Sequence, residues 1–237
     1  MLYIALDSNG LLVNSVQAHA RTLQCPFCSG NVELIQPGNT FRHYLNTACQ
    51  PTIVDQVAVL LNKNKTLLNI DLPLAEISTS SATFHSKLSP LRHIHLPSKK
   101  LVSQPHQLSL YASQLIPTDP LPVIKTTYNQ RTLYIIFSLS PDNQPDMTFA
   151  PDLDIYTSSI LQIDLDVARI TFDEHISLQR ILDVMDKSWI RHEPLIIEAQ
   201  QYYIAQSKLL QEAADKEAAA LRELEELGVI SIRKPKN

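Results

Sequence analysis

Residues 25–49 read CPFCSGNVELIQPGNTFRHYLNTAC, and this stretch decides the fold of the N-terminal part of the chain. It holds all three cysteines of the 237-residue sequence, together with His43. The spacing C-x2-C-x14-H-x5-C offers three thiolates and one imidazole, the ligand set of a closed tetrahedral zinc site. The turn expected at Cys25-Pro26-Phe27-Cys28 and Ser29-Gly30 directs two thiolates toward one ion. We therefore predict one structural zinc per chain, held by Cys25, Cys28, His43 and Cys49.

Two other interpretations of the cysteines are a redox CxxC motif and three unrelated thiols. An odd number of cysteines argues against a disulfide framework. A thioredoxin-like CxxC opens a helix, whereas here the pattern predicts strands at Val32–Ile35 and Thr40–Arg42 around the turn Pro37-Gly38-Asn39. Four protein ligands leave no position for water, so the zinc would be structural. It would stabilise a module of about 50 residues that is too small to fold stably without it.

Composition excludes several classes of protein. The chain is 44% hydrophobic and 19% charged, with 4 glycines and 15 prolines, and it lacks both GxGxxG and GxxxxGK[ST]. Glycine-rich phosphate-binding loops are therefore not expected. The longest apolar runs are about five residues, against about 20 for a membrane span. Asp7 lies where a signal peptide would be basic or apolar. We expect a cytoplasmic protein without a membrane segment.

Hydrophobic periodicity predicts the order of elements along the chain. An N-terminal hairpin precedes the cysteines, and a helix at about 51–63 follows them. Short strands interrupted by prolines fill 74–122. The remaining predictions are a hairpin of Val123–Thr127 and Arg131–Leu139, a strand at Ser159–Leu165, a helix at Ser177–Ile190, and a long helix from Glu193 to about Leu227.

The net charge of −4 is unevenly distributed. Residues 73–140 carry six basic and two acidic side chains, a balance of +4, whereas residues 141–198 carry four and twelve, a balance of −8. The two stretches could match each other internally, or the basic one could face a polyanion. The candidate nucleic-acid contacts are Arg92, Lys99, Lys100, Lys125 and Arg131. The nearby His93-Ile94-His95 could bind a metal, but is equally typical of a solvated strand edge.

Several motifs, in order, resemble the competence protein CoiA family. They are Cys25-Pro26-Phe27-Cys28, Phe41-Arg42-His43, Cys49, Ile70-Asp71-Leu72-Pro73, Leu133–Phe137, Ile163–Asp166 and Trp189-Ile190. The resemblance implies a zinc-ribbon-like module joined to a restriction-endonuclease-like mixed-sheet core, and a role in DNA uptake or the handling of foreign DNA. We predict an α+β or α/β chain with a zinc-ribbon-like module at 1–65, a nuclease-like core at 66–192, and a long helix with a basic tail at 193–237.

The departures from the family pattern bear on catalysis. A nuclease core of this type needs two or three carboxylates and a lysine on one hairpin to hold Mg²⁺ and steady the attacking water. Pro122 stands where the aspartate would fall, isoleucine replaces the glutamate within Tyr134–Ser138, and no acidic residue lies between Leu121 and Ser140. Asp152, Asp154, Asp164 and Asp166 could rebuild a metal site elsewhere, although a solvated loop and strand end explain them as well.

The C-terminal helix is the second strong pattern. Its predicted apolar seam comprises Ala199, Tyr202, Gln206, Leu209, Ala213, Lys216 and Ala220, and leucines continue it to Leu227. Such a helix could pack on its own domain, or residues 199–227 could dock on a protein partner or a second copy of the chain. A basic tail with Arg233, Lys234 and Lys236 follows.

Three functional hypotheses follow from these patterns. The first is a catalytically degenerate, nuclease-like zinc protein that binds nucleic acid, with DNA favoured over RNA. The second is a protein-interaction adaptor that docks through the C-terminal helix. The third is an active metal-dependent DNA nuclease.

Overall fold

The computed structural model describes residues 1–18, 22–35, 40–45, 48–64, 68–86, 93–118, 121–139, 157–170 and 177–229. The chain is mixed α+β, with several sheets and a long C-terminal helix. It forms two compact units. Unit 1 contains Met1–Pro73 and Pro105–His192, and unit 2 contains Leu74–Gln104 and Glu193–Asn237.

The N-terminal part of unit 1 is a five-stranded antiparallel sheet. Its strands are β1 (Ala5–Leu6), β2 (Leu12–Val13), β3 (Leu23–Gln24), β4 (Asn31–Ile35) and β5 (Thr40–His43), in the order β2-β1-β3-β4-β5. A bridge between Leu2 and Phe41 brings the chain before β1 back to β5. The expected hairpin at the N-terminus and the expected strand pair between the cysteines are both confirmed.

Helix α1 (Ile53–Asn64) matches the predicted helix, and one buried side chain ties it to the start of the chain. Gln56 is fully buried. Its amide oxygen accepts a hydrogen bond from the Tyr3 N–H at 2.8 Å, and its nitrogen donates to the Met1 carbonyl at 2.9 Å. Gln56 thereby supplies the hydrogen-bond partners that a neighbouring strand would give to the backbone of Tyr3 and Met1.

The second sheet of unit 1 is mixed. Its strands are β12 (Gln114–Ile116), β13 (Val123–Tyr128), β14 (Arg131–Ser138), β15 (Ser159–Asp164) and β16 (Asp186–Arg191), paired in chain order. Only β14 and β15 run parallel. The turn between β13 and β14 places Asn129 and Gln130 at positive φ, as the tight hairpin requires. The predicted hairpin and the strand β15 are confirmed.

The main core of unit 1 lies on one face of this sheet. Because side chains alternate along a strand, Ile124, Leu133, Ile135, Leu161 and Ile163 share that face. Helices α1 and α2 (Leu178–Val184) and the strand pair β6 (Asn69–Leu72) and β11 (His106–Ser109) contribute further core residues.

The prediction of a single helix over Ser177–Ile190 is wrong in its second half. Helix α2 ends at Val184, Met185 is extended, and Asp186–Arg191 form strand β16. The burial of β16 alternates residue by residue, and the Trp189 indole N–H donates to the Pro73 carbonyl at 2.7 Å. Pairing with β15 and this distant contact override the local helical pattern. Trp189 therefore lies on a strand and does not close a helix.

Unit 2 consists of a two-stranded ribbon and the C-terminal helix. The ribbon pairs β7 (Glu76–Ser78) with β10 (Lys100–Val102), and β8 (Ala82–His85) with β9 (His93–Leu96). Backbone and hydroxyl hydrogen bonds between Thr79 and Lys99 join the two pairs into one ribbon. Helix α3 (Glu193–Glu226) contacts β7, β8 and β10.

The face that α3 packs differs from the predicted seam at two positions. Leu209 is 52% exposed and Lys216 is exposed, whereas Leu210 and Glu217 are half-buried. Because a regular helix has 3.6 residues per turn, Leu210 and Glu217 lie on the same packed face as Gln206. Gln206 is itself buried and donates to the Pro97 carbonyl at 3.4 Å. The ribbon therefore covers a large part of the α3 face that was predicted to dock on a partner.

Candidate metal centre

The cysteine turn after β3 brings two sulfurs to one side of the backbone. The Cys25 N–H donates to the Gly30 carbonyl at 2.8 Å, and the Ser29 N–H donates to the Cys25 carbonyl at 3.0 Å. Ser29 lies in the left-handed region at φ 57°, which lets the chain turn back into β4. A Cβ at Gly30 would lie 3.4 Å from the Cys28 sulfur, so glycine lets the backbone pass close to this ligand.

Four predicted ligands from three separate parts of unit 1 meet at this turn. Cys25 and Cys28 come from the turn itself, His43 ends β5, and Cys49 lies shortly before α1. Their ligand atoms all lie within 4.8 Å of one another. The Cys25 and Cys49 sulfurs are 3.8 Å apart, and the Cys28 sulfur is 3.3 Å from His43 Nε2.

The surroundings of the sulfurs act differently on Cys28 and Cys49. The pKa of Cys28 is lowered, chiefly because the Gly30 N–H points at its sulfur. Burial, followed by the neighbouring thiols, raises the pKa of Cys49 to about 12. The Phe27 N–H also points at the Cys25 sulfur, at 3.5 Å. Backbone donors aimed at sulfur are the outer-shell support that thiolate metal sites use.

The donor set and its spacing fit a tetrahedral ion. A tetrahedral zinc with Zn–S bonds of about 2.3 Å separates its sulfurs by about 3.8 Å, which matches the 3.8 Å between the Cys25 and Cys49 sulfurs. Cys25 is fully buried, while Cys28 is exposed. The cluster could hold one metal ion, and its four protein ligands would leave no position for a substrate. This arrangement suits a structural role.

A cleft of about 410 Å³ borders the cluster. Its lining includes His43 and Cys49 of the cluster together with Met1 and Leu45. Arg42 is the one charged residue in its lining, and its guanidinium is paired with Glu33 at 2.6 Å.

The hairpin of β13 and β14 carries apolar side chains on its second face. Val123, Tyr134, Ile136 and Ile160 form a buried cluster on the sheet face opposite the main core, each at most 4% exposed. An isoleucine in such a cluster offers no ligand for Mg²⁺. Among the described residues, the Cys25–Cys49 cluster is the one group of three or more His, Cys, Asp or Glu that could hold a metal ion.

The candidate carboxylates do not assemble a replacement site in the described part of the chain. Asp166 caps the short 3-10 helix Val167–Arg169 by accepting from the Ala168 N–H at 2.9 Å. Asp164 accepts from Gln162 at 2.5 Å and lies opposite Asp186, which pairs with Arg169. Asp152 and Asp154 lie outside the described residues.

The candidate basic residues fall in both units, and the two in unit 1 lie on different faces of their sheet. In unit 2, Lys99 pairs with Glu198 at 3.7 Å and lies over the Tyr202 ring, and Lys100 pairs with Glu76 at 2.7 Å. In unit 1, Lys125 lies opposite Tyr134, and Arg131 lies opposite Tyr128. Alternation along the strands puts Lys125 and Arg131 on opposite faces of the sheet. Arg92 lies outside the described residues.

Sequence reasoning missed a buried polar-aromatic group in unit 1. Tyr128 and His192 are at most 6% exposed, and the Tyr128 hydroxyl lies 3.3 Å from His192 Nε2. The rings of Trp189 and His192 meet edge to face at 4.6 Å between centroids. Burial lowers the pKa of His192 and raises the pKa of Tyr128. Tyr128 and His192 are 64 positions apart in sequence, so no local pattern indicates the group.

No family model, curated protein or solved structure matches the chain. Among the described helices, none combines the length and the apolar character needed to cross a membrane.

Proposed function

We propose that the chain binds nucleic acid, with DNA favoured, through a nuclease-like core that has lost its catalytic carboxylates, and that zinc fills the Cys3His cluster as a structural ion. The observation that carries this proposal is the buried cluster of Val123, Tyr134 and Ile136 on the central hairpin. Where the resembled family needs metal-binding carboxylates, this chain has apolar packing. The mixed α+β class and the Cys3His cluster are compatible with this proposal, and the apolar hairpin offers no ligand for a catalytic metal.

Zinc is the proposed metal because of the ligand chemistry. Three thiolates with one imidazole in tetrahedral array suit zinc better than hard cations, which prefer oxygen ligands. Cys25, Cys28, His43 and Cys49 would hold the ion, and it would link the turn after β3, the end of β5 and the approach to α1.

Two cations of unit 1 support binding to phosphate. Lys125 and Arg131 form no ion pair with any residue in the described ranges, whereas Lys99 and Lys100 are each paired with a carboxylate. An unpaired cation meets a phosphate without first giving up a partner. Lys125 and Arg131 are therefore the first residues to test.

The adaptor hypothesis has less support. Residues 199–227 were expected to expose an apolar seam, but much of that face packs on the chain's own ribbon. The exposed apolar residues of α3, such as Ile204 and Leu209, point in different directions around the helix and do not form one stripe.

Fluorescence anisotropy with labelled single-stranded and duplex DNA tests the proposal. We expect binding at 50 mM salt that weakens steeply by 200 mM, because each phosphate contact releases counterions. Lys125→Gln should weaken binding and reduce the salt slope by about one, while Lys100→Gln, which removes an ion-paired lysine, should change both less.

The same samples test the lack of catalysis. Incubation with Mg²⁺ or Mn²⁺ should leave the DNA intact. Cleavage that tracks with the purified chain would show an active nuclease, and absence of binding at 50 mM salt would reject the nucleic-acid proposal.

A further inference from the structure

The three cysteines of the Cys3His cluster differ in how far solvent reaches them. Cys25 is fully buried and belongs to a core cluster with Leu2 and Phe41. Cys28 lies in the same turn but is exposed. Cys49 is half-buried and belongs to the lining of the cleft beside the cluster. One cysteine is therefore open to small solutes, a second borders a cleft, and the third is shielded by the core.

A cysteine that holds zinc is in the chemical form that reacts with peroxides. Zinc binds the thiolate, and the thiolate is also the nucleophile in cysteine oxidation. Oxidation selects thiolates that solvent can reach. With zinc in place, Cys28 meets both conditions, whereas Cys25 meets only the first. A peroxide should therefore react at Cys28 before it reacts at Cys25.

A second sulfur lies close enough to complete a disulfide with Cys28. The three sulfurs and the His43 nitrogen all lie within 4.8 Å of one another. Cys25 is packed inside its core cluster, while Cys49 is only partly buried against the same cluster. Rotation of the Cys28 and Cys49 side chains would bring their sulfurs toward the bond length of about 2.05 Å while Cys25 keeps its place. Cys49 is therefore the expected partner.

We propose that the Cys3His cluster is a peroxide-responsive zinc site, in which oxidation of Cys28 and formation of a Cys28–Cys49 disulfide release the ion. The Cys28 thiolate attacks one oxygen of hydrogen peroxide, the O–O bond breaks, and a sulfenic acid forms as hydroxide leaves. The Cys49 thiolate then attacks the Cys28 sulfur, the S–S bond forms, and the S–O bond breaks with loss of a second hydroxide. Two protons from solvent convert both hydroxides to water. The two sulfurs supply the two electrons that reduce the peroxide.

This inference rests on the proposed zinc occupancy and does not depend on nucleic-acid binding. The disulfide removes two of the four ligands, and Cys25 with His43 alone would hold zinc far more weakly. The ligands come from the turn after β3, the end of β5 and the approach to α1, so loss of the ion should loosen these three segments. A thiol reductant and added zinc should restore them, because the disulfide is reversible.

Zinc release and thiol mapping on the full chain test the proposal together. The chain is loaded with zinc, dialysed to remove weakly bound metal and treated with hydrogen peroxide, while a zinc-sensitive dye follows release. We expect zinc to leave in step with formation of a Cys28–Cys49 disulfide, located by mass spectrometry of peptides. Dimedone, which traps sulfenic acids, should label Cys28 and not Cys25. The chain has three cysteines, all in this cluster, so every oxidised sulfur can be assigned.

Two matched variants separate the two steps of the reaction. Cys28→His and Cys49→His each leave two thiolates and two imidazoles, a set that also binds zinc. Cys28→His lacks the exposed thiolate, so peroxide should release its zinc at least tenfold more slowly. Cys49→His keeps that thiolate but lacks its partner, so Cys28 should carry more dimedone label than in the unaltered chain. Zinc content and circular dichroism before oxidation check that the variants load and fold.

The mapping on the unaltered chain keeps the proposal falsifiable even where a variant fails to load zinc. Zinc that stays bound in peroxide, oxidation that begins at Cys25, or a disulfide other than Cys28–Cys49 would overturn it. A purified chain that binds no zinc at all would instead reject the proposed metal centre, so the two failures are distinguishable.

Discussion

Replacing Gln56 with leucine tests whether this one buried amide holds the start of the chain on helix α1. The substitution keeps most of the side-chain volume and removes both polar atoms. The Tyr3 N–H then loses its 2.8 Å acceptor, and the Met1 carbonyl loses its 2.9 Å donor. Because Gln56 is fully buried, water does not replace the missing side chain without opening the structure.

The Gln56 side chain also donates to the Thr52 carbonyl at 3.3 Å, but that carbonyl keeps the Gln56 N–H, so the magnitude follows chiefly from the Tyr3 N–H and the Met1 carbonyl. A buried donor without a partner costs about 1–3 kcal/mol. Met1 is 86% exposed, so water can solvate its carbonyl and that loss adds little. We expect Gln56→Leu to lower the free energy of unfolding by about 2 kcal/mol, or the melting temperature by about 4–8 °C for a unit of this size.

Unfolding in urea can be followed through the fluorescence of Trp189, the single tryptophan of the chain, which lies in unit 1. The matched control is Asn62→Ala on the same helix, where an exposed side chain donates only to the Ala58 carbonyl. The control should change the free energy of unfolding by less than about 0.5 kcal/mol. If Gln56→Leu were as stable as the control, the inferred role of Gln56 would be refuted.

Three further predictions concern the metal cluster, the buried histidine and the long helix. Cys28→Ser should lower the zinc content measured by elemental analysis. Because ion binding and local folding are coupled, amide hydrogens in the turn after β3 should also exchange faster. An unchanged zinc content would contradict this. The pKa of His192 is lower in the folded state, so the unfolded chain takes up the proton first, and stability should fall as pH drops below about 6.5. His192→Gln should flatten that dependence in urea titrations at several pH values, and an unchanged slope would contradict the assignment. Leu210→Asp should destabilise unit 2 by about 2 kcal/mol or more, whereas Leu209→Asp should have little effect in thermal unfolding; equal effects would mean that the packed face is misassigned.

The elements with strong local periodicity could be predicted from the sequence. Helix α1, the β13–β14 hairpin, β15 and helix α3 occur close to their expected bounds. Residues 177–190 contain both a helix and a strand, and only pairing with β15 and the contact of Trp189 with Pro73, 116 residues away, decide where one becomes the other. A local sequence pattern does not reveal contacts between residues that lie so far apart in the chain.

The candidate sites also differ in whether the sequence alone could predict them. The Cys3His cluster could be predicted because the ligand types and the short turn are encoded within 25 residues, and the structure brings all four together. The basic residues could not be grouped, because the partner of Lys99 is Glu198, about 100 positions away.

Zinc-edge X-ray absorption on the purified chain, after dialysis to remove weakly bound metal, tests the central claim most directly. We expect one zinc per chain with three sulfur neighbours at about 2.3 Å and one nitrogen at about 2.0–2.1 Å. A chain that folds without zinc, or a zinc surrounded mainly by oxygen and nitrogen, would contradict it.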